Sequence, residues 1–91
     1  MKKTNREKIR REFRVLSVKF EKINFKQVKL EFEKGTITED EFIEKSKVVF
    51  ALKVRFKKLL EKTKCLKYQS KAIKELYGSM RKYCIKSNII D

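Results

Sequence analysis

The chain has no histidine, no proline, two cysteines and two glycines, and each shortage removes a class of protein. Without histidine, Cys65 and Cys84 cannot complete a four-coordinate zinc site. On one continuous helix the two thiols would stand about 28 Å apart, too far for a disulfide. Both are expected to be reduced and half-buried, as small apolar residues. A β fold needs frequent turns, and Gly35 and Gly78 are the only breakers available to make them. No apolar run approaches membrane-span length and no signal peptide follows the basic start, so a cytoplasmic protein is expected. Catalysis also lacks its parts: there is no histidine, no glycine-rich phosphate loop and no nucleophile with a base beside it. The expectation is a non-enzyme that needs no cofactor.

What the sequence does have is charge and large apolar side chains. Charged residues make up 42%, well above the usual quarter, and hydrophobic residues 41%. Disorder is the default for so charged a chain. It is opposed here by Phe, Leu, Ile and Val at regular spacing. Ninety-one residues suffice for one domain that buries roughly 60–65% of its unfolded surface. Such a chain can close a helical bundle around one apolar seam, with little left to wall off a deep pocket.

Ile9, Phe13, Leu16, Phe20, Ile23, Gln27 and Leu30 are spaced 4-3-4-3-4-3, the seam of a heptad helix over about 4–33. Gln27 is its polar exception, and Val18, Phe25, Val28 and Phe32 form a second stripe. Gly35 suits the left-handed position that ends a helix. Thr38 then caps the next one, with Glu41 placed for a capping box and Ile37 and Phe42 for a hydrophobic staple. Acids at 39, 40, 41 and 44 suit the positive end of that helix.

The later apolar spacing runs through Val49, Leu52, Phe56 and Leu59, then Thr63, Leu66, Ser70, Ile73, Tyr77, Met80 and Cys84. Thr63 and Ser70 interrupt it. An antiparallel hairpin about residues 34–38 pairs 9–30 with roughly 42–63 and leaves 66–84 with an uncovered apolar face. The reading is therefore an all-α, small antiparallel bundle, one domain over 1–91, with helices at about 4–33, 39–62 and 66–86. An unbroken hairpin that pairs as a homodimer is the alternative. Gly78 weakens the last helix by about 1 kcal/mol.

The stretch from Gly35 to Phe42 looks like the second half of an EF-hand calcium loop, with its glycine, isoleucine and terminal glutamate. The earlier ligand positions would be Leu30, Phe32 and Lys34, none of which offers a carboxylate to a hard cation. Turn and cap explain these residues better.

Net charge is +14, and it is unevenly placed. Residues 31–44 hold six acids against Lys34, a net of −5, so the remainder carries +19. The hairpin gathers the acids at its tip and collects Lys2, Lys3, Arg6, Lys8, Arg10, Arg11 and Arg14 with Arg55, Lys57, Lys58, Lys62, Lys64 and Lys67 at the other pole. That is the footprint of a protein that binds nucleic acid, DNA or RNA, through the phosphate backbone. Arg10, Arg11 and Arg14 lie off the seam, and the arginine fork suits phosphate. Tyr68 and Tyr83 are placed to stack on bases, although tyrosine at helical spacing is more often core or rim. No helix-turn-helix with a short second helix is present, which favours backbone or RNA-shape binding over operator reading.

The rival reading is a structural or interaction protein, a virion or complex subunit or an inhibitor of an acidic protein, assembled through the heptad seam. A membrane-surface role ranks third, because the apolar faces look committed to a core.

Overall fold

The computed structural model describes residues 5–68 and 70–90. Lys2 and Lys3 of the expected basic pole lie outside them. Among the described residues there are four helical segments and no strand: α1 (Asn5–Ile23), α2 (Phe25–Glu33), α3 (Glu39–Leu66) and α4 (Lys71–Lys86). α1 and α2 form one long bent arm. α3 returns antiparallel to it, with Phe25 beside Phe42 at one end and Phe13 beside Phe56 farther along. α4 turns back over α1 and α3. The result is the expected three-helix, all-α bundle, elongated to 50 × 29 × 15 Å. Its third helix covers the apolar face that a bare hairpin would leave open.

The turn forms as its residues dictate. Gly35 sits at φ +77°. Its N–H donates to the Phe32 carbonyl at 3.1 Å, and the Thr36 N–H reaches back to Glu31 at 2.8 Å, the paired bonds of a Schellman ending. Thr38 Oγ1 accepts from the Glu41 N–H at 3.2 Å. That bond relieves one of the four unpaired amides at the start of α3. The reciprocal half of the capping box, from the Thr38 N–H to the Glu41 carboxylate, is not formed. Phe42 stacks on Phe32, ring centroids 4.3 Å apart, and this pair clamps the base of the turn.

The first arm departs from a single helix over 4–33. Asn24 adopts a left-handed conformation, φ 47° and ψ 67°, so α1 ends at Ile23 and α2 starts one residue later. Asparagine is among the few residues that visit this region at modest cost. One such residue resets the helical phase, and that corrects the seam. Ile9 and Leu16 are buried as expected and Phe13, Phe20 and Ile23 pack on the core. Beyond the bend, Val28 is buried, Gln27 is exposed and Leu30 is 46% exposed.

α3 also runs four residues past its expected end at 62, and α4 begins at Lys71 rather than 66. Thr63 does not stop α3, because its hydroxyl donates to the Leu59 carbonyl at 2.7 Å and is satisfied inside the helix while wholly buried. α4 passes straight through Gly78 and ends at Lys86, two residues before a second left-handed asparagine, Asn88 at φ 60°. The Ile89 and Asn88 amides close another Schellman pair on Cys84 and Ile85, which drives Ile89 into the core.

The main core joins Ile9 and Leu16 to Leu52, Phe56, Leu59 and Leu60 of α3 and to Met80, Cys84 and Ile89. Phe56 is fully buried at its centre, edge-on to Phe13 and Phe20. Val28 and Val49 are buried outside this cluster, nearer the tip.

Candidate nucleic-acid interface

Helical rows decide which cations share a face. On α1, Arg6, Arg10, Arg11 and Arg14 are all exposed. Arg10 and Arg14 continue in one row with Ser17 and Glu21, three to four residues apart. That row flanks α4, since the Tyr83 hydroxyl of α4 donates to Glu21 Oε1 at 3.1 Å. Arg11 belongs to the next row, with Val15, Val18 and Lys22, turned away from α4.

α3 divides in the same way. Arg55, Lys58 and Lys62 line a shallow groove with Leu59 and Glu12 on the side of the hairpin away from α4. Lys57 and Lys64 are exposed on another row, shared with Lys53, which borders α4. Lys67 is half-buried at the end of α3, its Nζ 5.0 Å from the Tyr68 ring centre and 5.1 Å from that of Tyr77. The described members of the expected pole thus share one end of the bundle but not one face. They form a collar around it. Glu12 is the acid set among them, in the groove with Arg55, Lys58 and Lys62.

The two tyrosines separate. Tyr68 is 85% exposed beside Lys67. Tyr83 is committed to the core, edge-on to Phe13 at 5.3 Å. Burial, then the Glu21 carboxylate that accepts its proton, push the Tyr83 pKa up to about 12. The acids of 31–44 stay at the tip, with Glu33, Glu39, Asp40, Glu41 and Glu44 exposed.

The cysteines correct the expectation that both are half-buried. Cys65 is exposed on α3, whereas Cys84 is fully buried and burial lifts its thiol pKa to about 11.

Two surfaces were not singled out from sequence. A cavity of about 430 Å³ opens at the bend, where Lys26, Lys29, Lys53 and Lys86 converge from three helices around Phe20, Phe25 and Tyr83. Nothing in the sequence marks it, because it exists only once Asn24 bends the arm. An open groove of about 770 Å³ lies between α1 and α3, lined by Lys19, Lys22 and Ile23 and by Val48, Phe50, Ala51, Leu52, Val54 and Arg55. Its signal was present: Phe50 stands off the α3 seam.

Among the described residues no cluster of three metal-ligating side chains occurs, and no helix is long and apolar enough to cross a membrane. No protein-family model, curated protein or solved structure matches the chain.

Proposed function

We propose that this protein binds nucleic acid through the phosphate backbone, with the cationic collar at the α1 start and the α3 end as its contact surface. One observation carries the reading. Arg6, Arg10, Arg11, Arg14, Arg55, Lys57, Lys58, Lys62 and Lys64 are exposed at one end of the bundle, where they outnumber the acids beside them, and six of the twelve acids are held at the opposite tip. Like charges gathered this way repel until an anion neutralises them. A collar suits a partner followed by shape and charge better than base reading, which needs one element seated in a groove.

Binding to short duplex DNA, single-stranded DNA and duplex RNA across a salt series tests this. Contact with about six phosphates gives a log–log salt slope of about −5 on duplex DNA. Two triple variants locate the surface: Arg10, Arg11 and Arg14 to Gln, and Arg55, Lys58 and Lys62 to Gln. At least one should weaken binding while leaving the helical circular dichroism intact. Affinity unchanged in both, or binding confined to low salt, removes the collar from consideration.

A further inference from the structure

Three of the exposed large apolar side chains, Ile43, Val48 and Phe50, lie close together on α3. Phe50 is 69% exposed and Val48 51%, and both line the groove between α1 and α3. Phe50 also borders an adjoining apolar depression with Phe42 and Ile43, where Ile43 is 42% exposed. A contiguous apolar surface of this kind marks an interaction site, whereas isolated apolar residues do not.

The charge around the groove says what fits it. Lys19 and Lys22 stand on the α1 wall and Arg55 on the α3 wall, and no acid lines it. Glu44, in the same α3 row one turn before Val48, lies outside toward the tip, and Glu12 lies beyond Arg55 in the neighbouring groove. Val48 to Arg55 spans about 10 Å, or two helical turns. From this complementarity we infer that the α1–α3 groove docks an acidic amphipathic helix of a partner protein. The partner's apolar stripe lies on Val48, Phe50 and Ala51, and its flanking carboxylates meet Lys19, Lys22 and Arg55.

Other occupants fit less well. A second copy set face to face would oppose the same three cations, and each molecule carries +14. A flat bilayer would meet the cationic walls before the apolar floor. The groove stands apart from the collar except at Arg55, so its test leaves that residue unchanged.

The probe is a fluorescein-labelled 16-residue helical peptide with Leu at i, i+3, i+4 and i+7 spacing and Glu on both flanks. It is compared by fluorescence anisotropy with a scrambled peptide of the same composition. The ordered peptide should bind at least tenfold more tightly. Phe50→Ser and the Lys19→Glu/Lys22→Glu pair should each weaken it at least tenfold, with circular dichroism unchanged because all three side chains are exposed. Equal binding of the scrambled peptide, or no effect of Phe50→Ser, overturns the inference. So does a dimer in light scattering that Phe50→Ser dissolves, or Phe50-dependent binding to phosphatidylglycerol vesicles without peptide binding. Nucleic-acid affinity is measured on the same variants: its loss in Phe50→Ser would assign the groove to the nucleic-acid surface and overturn the inference. Its retention beside lost peptide binding keeps the two surfaces distinct.

Discussion

Burial withdraws the Cys84 sulfur from water and disfavours its thiolate, the reactive form, while Cys65 keeps its thiol at the surface of α3. A maleimide added to the native protein should therefore label one site, Cys65, and reach Cys84 only in denaturant. Rapid native labelling at two sites, read by mass spectrometry, would contradict the packing of α4. Tyr83 gives a second test at this scale. Its pKa is raised from 10.0 to about 12, so the fold holds the neutral phenol. The associated stability is fully present below about pH 10 and is lost as pH rises toward 12. Cys84 acts in the same direction, between pH 9 and about 11. Chemical denaturation across pH 8–12 should show wild type losing stability from about pH 9 upward, and Tyr83→Phe losing less of it in the upper part. Identical slopes would mean that neither burial nor the Glu21 bond holds the Tyr83 phenol neutral in solution.

At the scale of elements, the bend at Asn24 is the feature most open to test. Alanine at φ 47° costs about 1–2 kcal/mol, whereas glycine takes that conformation freely. Asn24→Ala should lower stability by about that amount, or straighten the arm and expose Val28. Asn24→Gly should be nearly neutral. Asn24→Ala more stable than Asn24→Gly in urea unfolding would mean the arm is straight. The bend also explains what was readable beforehand. Gly35 and Thr38 announced the turn because local chemistry alone sets a Schellman ending and a cap. The seams of α3 and α4 followed from spacing, and Thr63 misled only as to where α3 ends. A left-handed asparagine inside a helical pattern has no such local signature. Its one trace was Gln27, the polar residue that broke the seam.

For the whole molecule, +14 on a body 50 Å long means sustained self-repulsion. Salt shortens the reach of that field to about 8 Å at 0.15 M. Raising NaCl from about 20 to 300 mM, a span over which the Debye length shrinks severalfold, should stabilise the fold by about 1 kcal/mol. For a domain of this size that is a rise in melting temperature of about 4–8 °C. A flat profile would show that the collar's charges do not strain the fold. The existence of a basic pole was legible as a count along the chain. Its wrapping into a collar was not, since the faces that Arg10 and Arg14, Arg11, or Arg55 and Lys58 present depend on which side α4 takes.

The side taken by α4 has one more effect. It packs on α1 and α3 and ends beside the bend, so the main core draws on three helices, while Val28 and Val49 are buried outside that cluster. Fewer buried contacts mean a lower free energy of local opening. Amide hydrogens of α2 and of the first turns of α3 therefore exchange with solvent sooner than those around Phe56. The protein has a stiff body with a softer head, and the head carries its acids.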